Sequence, residues 1–189
     1  MAKRLRAAVC AAAAGVWLGC SHTVGFHPLT QAPPELEASK TAASVRLYMS
    51  PELQAASNTF RAVLNSWTIV YGERTHEFAV TYLEAAFTDF QEVMSPEKPD
   101  APAVLVKIQS VEYLMEDQAA HIKVVVEASD GAGTSLLTKE YRADGWSGIG
   151  ASMGGGPFAQ KGITRSSTDQ ALKEIFLNVV RDLRRALPA

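Results

Sequence analysis

Two long segments in which apolar and polar side chains alternate constrain the fold more than any other feature. Apolar side chains recur with a period of two within residues 103–115 and 118–129, as at Val104, Val106 and Ile108, which is the period of a β-strand with one dry face. A third alternating run covers residues 136–144. The connections at 116–118 and 130–133 are short enough to force antiparallel hairpins. The sequence therefore predicts a three-stranded antiparallel meander.

Two short strands and two helices are predicted for the rest of the domain. Residues 44–50 alternate, and residues 67–71 form a β-branched and aromatic run closed by a glycine. A helical turn or a loop is expected between them. Aromatic residues at four-residue steps over residues 75–94 predict an amphipathic helix, and an apolar stripe ending at Leu187 predicts a second one. The candidate caps of the second helix are Ser167, Thr168 and Asp169.

This order of elements predicts an α+β fold. Five mostly antiparallel strands form one sheet, and the two amphipathic helices cover one face of it in a two-layer sandwich, because their apolar stripes need a surface. A single domain is expected over residues 44–189. A segment of this length buries one sizeable core and is too short for two.

The first twenty residues have the pattern of a bacterial export leader. Lys3, Arg4 and Arg6 precede a run of about a dozen mostly small apolar residues, and Gly19 stands directly before Cys20. The end of this segment resembles the lipobox of bacterial lipoproteins. The resemblance implies a signal peptide over residues 1–19, lipidation of Cys20 with acyl chains such as palmitate, and stable attachment to a membrane.

Three alternative interpretations of the leader fit less well. An uncleaved anchor needs roughly 20 apolar residues, more than are present here. A plain secretory signal leaves Cys20 as a lone thiol, and a cytosolic amphipathic helix requires polar residues within residues 7–18, where there are none. The leader departs from the lipobox at Trp17, where an aliphatic residue is usual.

Cysteine count and charge narrow the class of protein further. Cys10 and Cys20 are the only cysteines, so a mature form lipidated at Cys20 has no disulfide and depends on its core. Loss of residues 1–19 leaves 15 basic and 20 acidic side chains, a net charge of −5. An acidic domain has no electrostatic attraction to nucleic acid, so no nucleic-acid partner is expected.

Residues 20–43 are expected to form a flexible tether between the lipid and the domain. The segment contains Pro28, Pro33 and Pro34 and little that could be buried periodically. A semi-extended chain of this length reaches some tens of ångströms from the bilayer. Ser21, directly after the lipid site, favours the outer membrane of a double-membraned host, with the domain facing the periplasm.

Residue types that perform catalysis or bind metals are present but not arranged for either task. The four histidines lie in the tether, at a helix start and in a strand, without the spacing of a metal site, and no nucleophile motif is found. Three acidic pairs are better explained as a solvated helix face, a hairpin turn and a helix start; they are Glu84 with Asp89, Glu116 with Asp117, and Asp169 with Glu174. We therefore expect no enzyme activity, no metal and no cofactor.

One unusual segment is the glycine-rich stretch of residues 145–162. It lacks the spacing of a phosphate-binding loop but contains four large apolar residues that are costly to leave in water. These candidate partner-binding residues are Trp146, Ile149, Met153 and Phe158. The alternative is that Trp146 and Phe158 fold back over the open edge of the sheet.

The element order over residues 44–187 also resembles that of envelope lipoproteins of the YajG family and the lipopolysaccharide-assembly lipoprotein. That resemblance implies a lipid-anchored, non-enzymatic accessory or adaptor of a membrane-associated assembly or transport complex, with an envelope protein as its partner. The alternative is a protein that binds a small apolar ligand or lipid between sheet and helices. Its candidate lining residues are Tyr82, Phe87, Phe90 and Phe176.

Replacement of Cys20 by Ala is expected to release the protein from membranes, because it removes the cysteine of the lipobox-like segment to which the lipid would be attached. Flotation of the wild type and the Cys20→Ala variant on a density gradient checks this. Continued flotation of the variant with the membrane fraction contradicts lipidation at Cys20.

Overall fold

The computed structural model describes residues 21–29, 31–62, 65–97, 102–147 and 157–187, with the backbone alone at 62 and 157–158. Within these ranges the chain forms eight strands and four helices. The strands are β1 (Ser21–Val24), β2 (Thr41–Met49), β3 (Asn58–Ala62), β4 (Asn65–Ile69), β5 (Phe87–Glu92), β6 (Val104–Glu116), β7 (Ala119–Ser129) and β8 (Ser135–Trp146). The helices are α1 (Pro34–Glu37), α2 (Pro51–Gln54), α3 (Tyr71–Ala86) and α4 (Pro157–Ala186).

The larger sheet has five strands in the order β5-β2-β6-β7-β8. Strands β6, β7 and β8 form the predicted antiparallel meander. The turn between β6 and β7 has two residues with positive φ, Asp117 and Gln118, as a tight hairpin turn requires. Strand β2 runs parallel to both β5 and β6, however, so the sheet is mixed rather than mostly antiparallel. The fold is α+β, as predicted.

The fifth strand of this sheet comes from a segment that was predicted to be helical. Helix α3 ends at Ala86, where the Phe87 backbone is already extended, and β5 then pairs with β2 from Phe87 onwards. Backbone pairing with β2 and burial of Phe87 in the core outweigh the four-residue spacing that placed Phe90 on a helix. The predicted helix over residues 75–94 was therefore wrong beyond residue 86.

A second, smaller sheet was not predicted. It has the order β1-β4-β3, with β1 parallel and β3 antiparallel to β4. The predicted strand at residues 67–71 belongs to this sheet, as β4, and not to the larger one. The segment between the first two predicted strands, where a helical turn or a loop was expected, contains the helical turn α2 and strand β3.

The structure differs from the expected flexible tether over the described part of residues 20–43. Val24 in β1 and Leu36 in α1 are buried in the hydrophobic core. Pro33 and Pro34 begin the helical turn α1 rather than an extended linker, because the fixed φ of proline suits the first position of a helix. Pairing with β4 provides hydrogen-bond partners for the backbone of β1. These residues are part of the folded body.

Helix α4 begins ten residues before its predicted caps. The hydroxyls of Ser167 and Thr168 donate hydrogen bonds back to the carbonyl oxygen of Thr164, at 3.2 and 2.7 Å, instead of capping a helix start. Ile163, in the added turns, is buried. The helix then continues over β7 and β8, while α3 packs beside it and against β2, β5 and β6.

An aromatic cluster fills the layer between the helices and the sheet. The ring of Phe78 lies 5.5 Å from that of Tyr82 and 6.5 Å from that of Phe176, measured between centroids. Tyr82 and Phe176 are 6.4 Å apart. All three side chains are buried, and contacts at these distances give a close-packed interior.

Helix α4 approaches strand β8 closely because of one glycine. A Cβ atom built on Gly145 would lie 1.7 Å from the carbonyl oxygen of Ser167 and 2.9 Å from the amide nitrogen of Ala171. Both are backbone atoms that cannot move without shifting the helix. Gly162 lies in the same helix, and a Cβ at that position has nothing within 4 Å.

Substitution of these two glycines by alanine is expected to have opposite effects. Gly145→Ala should lower the free energy of unfolding by about 1–3 kcal/mol or more, because α4 must move away from β8. Gly162→Ala should leave stability unchanged or raise it by up to about 1 kcal/mol, because alanine favours a helix interior. Urea denaturation of both variants checks this, and equal effects contradict the close approach.

Candidate functional site

The candidate site lies on the face of the larger sheet that is turned away from the helices. Two large apolar side chains are more than half exposed on it: Leu114 at 52% and Trp146 at 58%. Leu114 is the cross-strand neighbour of His121 on β7, and His121 is that of Asp144 on β8. Trp146 pairs with Ala119 one row further along the sheet. We call Leu114, His121 and Trp146 the outer-face patch.

A β-bulge in β6 places Leu114 on this face. Before the bulge, Val106 and Ile108 point into the core, and the register of β6 against β7 then shifts between Ile108 and Ser110. After it, Val111 and Tyr113 point inward, which turns Leu114 outward. Without the bulge, the alternation of side chains would have put Leu114 in the core.

Polar and ionic contacts across the strands surround the outer-face patch. The His121 ring and Asp144 carboxylate are 2.7 Å apart, and Lys123 contacts Glu112 on β6 and Glu140 on β8, the latter at 3.7 Å. The hydrogen bond from Arg142 lowers the pKa of the Glu140 carboxyl, with the charges of Arg142 and Lys123 adding to the effect. Several of these side chains, together with Leu114, line a shallow groove of about 300 Å³.

Of the four residues predicted to bind a partner, Trp146 is the one whose side chain lies in the described part of the chain. Trp146 is the last residue of β8, on a rigid strand rather than in the glycine-rich loop. Ile149 and Met153 lie outside the described residues, as does Cys20. Phe158 belongs to the first turn of α4, where the structure describes its backbone alone.

A second cleft, of about 540 Å³, lies where the N-terminal segment crosses helix α3. Its lining includes Val24, Phe26, Arg74, His76 and Glu77. His76 is 2.8 Å from Glu92 at the rim. Arg74 and Glu77 in the cleft both hydrogen-bond the backbone of the N-terminal segment, so we interpret the cleft as a structural junction.

Arg74 is the centre of that junction and is 3% exposed. Its guanidinium donates two hydrogen bonds to the carboxylate of Asp169 on α4, at 2.7 and 2.8 Å, one to the carbonyl oxygen of His27 at 2.9 Å, and one to Glu77. It also lies 5.1 Å from the centroid of the Phe26 ring. One cation therefore joins α3, α4 and the N-terminal segment.

The charge of Arg74 is retained despite its burial. Desolvation by itself lowers the pKa of the guanidinium, but the carboxylates of Asp169 and Glu77 outweigh it, and the pKa is raised above its usual value. Glu77 additionally accepts a hydrogen bond from the amide of Leu29. The group is a paired structural cation, not a free site for an anion.

Chemistry based on a metal finds no support in the part of the chain that the structure describes. Within it, no three side chains of His, Cys, Asp or Glu are grouped so that they could hold a metal ion.

Among the residues that the structure describes, no helix combines the length and apolar character needed to cross a bilayer.

Replacement of Arg74 by Met is expected to lower the free energy of unfolding by about 2–4 kcal/mol, because it leaves the Asp169 carboxylate and the carbonyl oxygen of His27 without their partner and Glu77 without one of its two. Arg181→Met, at an exposed position of α4, is the matched control and should change stability by less than about 0.5 kcal/mol. Thermal or urea unfolding of both variants measures the difference. Similar losses in the two variants contradict the central role of Arg74.

Comparison with known proteins gives similarity of low degree. No protein-family model and no curated protein matches the sequence. A solved structure of an uncharacterized protein has 9% sequence identity and a TM-score of 0.48, over 87% of this chain and 98% of that one. The structure of a hypothetical protein from Chlamydia trachomatis has 10% identity and a TM-score of 0.38, over 89% of this chain and 97% of that one. At these values the likeness supports no statement about function.

Proposed function

We propose that this protein is a lipid-anchored, non-enzymatic component of the bacterial cell envelope that acts as an accessory or adaptor for a membrane-associated assembly or transport complex. In this proposal the lipid on Cys20 holds it at the membrane, and the outer-face patch binds an envelope protein. The outer membrane, with the domain facing the periplasm, is the proposed location.

The observation that carries the proposal is the exposure of Leu114 and Trp146 on neighbouring rows of one rigid sheet. Trp is the residue type most often found at the energetic centre of protein interfaces, and a solvent-exposed apolar cluster rimmed by polar groups is typical of a binding surface. The polar and ionic contacts around the outer-face patch form such a polar rim. A partner that covers the two side chains removes them from water.

The geometry favours a protein partner over a small molecule. The groove beside Leu114 is shallow and at the low end of the volumes that enclose ligands, whereas a flat patch with a charged rim suits a second protein surface. The alternative ligand site between sheet and helices has less support, since the rings of Tyr82 and Phe176 are buried and pack against Phe78. Phe90, which was expected to line that site, lies on edge strand β5 and is partly buried against the core.

The leader supports the lipid anchor. Lys3, Arg4 and Arg6, the apolar run and the Gly19-Cys20 pair are in the order that an exported lipoprotein requires. An acylated cysteine with more than one chain binds a bilayer stably without a membrane-spanning helix. The leader thus supports the proposed localisation to the envelope, and the outer-face patch supports the proposed binding of a partner.

The double substitution Leu114→Ala/Trp146→Ala is expected to abolish binding of the envelope partner and to leave the fold intact. Loss of an anchor of this type costs about 2 kcal/mol or more of binding free energy, while truncation of exposed side chains changes stability by about 0.5 kcal/mol. The measurement is photo-crosslinking in native envelopes from a photoreactive residue at Ser110, on the same face, followed by mass spectrometry of the adduct.

Met94 provides a matched control because it is 98% exposed and lies outside the outer-face patch. Met94→Ala should leave the adduct unchanged, whereas the double variant should lose it. Loss of the adduct in both variants, or in neither, contradicts binding through Leu114 and Trp146. Unfolding of the double variant, measured by circular dichroism, is checked in parallel.

A further inference from the structure

The folded body begins immediately after the proposed lipid site. Strand β1 starts at Ser21, the residue bonded to Cys20, and consecutive Cα atoms are about 3.8 Å apart across a peptide bond. The expected tether of some tens of ångströms is therefore absent between the lipid and β1. If Cys20 carries the proposed lipid, the exposed side chains of β1 lie close to the headgroups of the membrane.

Strand β1 is held firmly to the rest of the body. It pairs with β4 over four residues, and the His22 ring stacks on that of Trp67 at 4.7 Å between centroids. Directly after the strand, Arg165 of α4 donates a hydrogen bond to the carbonyl oxygen of Gly25. The position of the lipid therefore fixes which part of the body lies next to the bilayer.

The smaller sheet has two chemically distinct faces. Alternate residues, among them Val24, Trp67 and Ile69, are buried against the body. The residues between them form the opposite face, in two cross-strand rows set by the register of the three strands. We call this the hydroxyl face, and its six residues are Ser21, Thr23, Thr59, Arg61, Ser66 and Thr68.

Charge on the hydroxyl face complements a phospholipid surface. Arg61 is its one charged residue, it is exposed, and none of the three strands of the smaller sheet contains Asp or Glu. The mature chain as a whole carries a net charge of −5. An acidic protein thus has a face without carboxylates next to its lipid, where carboxylates would be repelled by anionic headgroups.

We propose that the hydroxyl face lies against phospholipid headgroups, with Arg61 on a lipid phosphate and the hydroxyls of Ser21, Thr23 and Ser66 hydrogen-bonded to headgroup oxygens. The hydroxyls of Thr59 and Thr68 bond each other at 2.9 Å, which leaves one of the two free to donate. This inference rests on the proposed lipidation of Cys20. Arginine and hydroxyl groups are suited to phosphate oxygens as hydrogen-bond donors. The protein is then held flat on the bilayer by its lipid and by this one face.

The test uses the complete mature chain, lipidated at Cys20 and reconstituted into vesicles of phosphatidylethanolamine and phosphatidylglycerol. With Cys20 blocked by lipid and Cys10 removed with the leader, a single new cysteine is labelled selectively. An environment-sensitive fluorophore is attached at Thr59→Cys, at Ser135→Cys or at Trp146→Cys. Lipids that carry a nitroxide near the headgroup quench a fluorophore that lies close to them.

We expect several-fold stronger quenching of the fluorophore at position 59 than of those at positions 135 and 146. Arg61→Glu should reduce the quenching at position 59, while Lys173→Glu, at an exposed position of α4, should not. Equal quenching at all three positions, or stronger quenching at position 146, overturns the inference.

Flotation of the same vesicles separates the two proposals. A protein that does not float with the vesicles contradicts the lipid anchor itself. A protein that floats, but whose label at position 59 is no closer to lipid than the label at position 135, leaves the anchor intact and removes the hydroxyl face as the membrane contact. Circular dichroism shows that each labelled variant is folded.

Discussion

The ion pair between Arg74 and Asp169 connects parts of the chain that are 95 residues apart, and the arrangement of the N-terminal segment depends on it. The guanidinium also binds the carbonyl oxygen of His27, so the segment that follows β1 is fixed to helices α3 and α4 together. Removal of one partner would leave buried polar groups without hydrogen bonds, which costs more than the pair itself contributes. The N-terminal segment, for which the sequence predicts a flexible tether, is therefore part of the folded body.

The fixed N-terminal segment separates two surfaces with different chemistry. The hydroxyl face lies on the smaller sheet directly after Cys20, while Leu114 and Trp146 lie on the larger sheet. Asn58 of the smaller sheet donates a hydrogen bond to the carbonyl oxygen of Tyr113 on β6, at 3.0 Å, so the two sheets meet there. We propose that one surface binds lipid and the other binds protein, and their relative position is set by these contacts.

The meander and the α+β class could be predicted because long alternating strands and tight hairpins are encoded locally. Strand β5 could not, since the spacing of Phe87 and Phe90 fits a helix equally well and only pairing with β2 decides between the two. The exposure of Leu114 depends on the bulge in β6. Its signal was present in the sequence as a switch of apolar residues from even positions, such as Ile108, to odd ones, such as Val111.

The closing contacts of this body join its first and last segments, and this constrains the order in which the body folds. Arg184, near the end of α4, donates a hydrogen bond to the carbonyl oxygen of Ser39 at 2.9 Å, across 145 positions of the chain. Contacts of such high sequence separation form late. Strand β1 can pair with β4 as soon as residues 65–69 are available, but the contacts that Arg165 and Arg184 of α4 make with the N-terminal segment wait for the final helix. In the proposed lipoprotein, Cys20 would be processed in that interval, before α4 closes the body over the N-terminal segment.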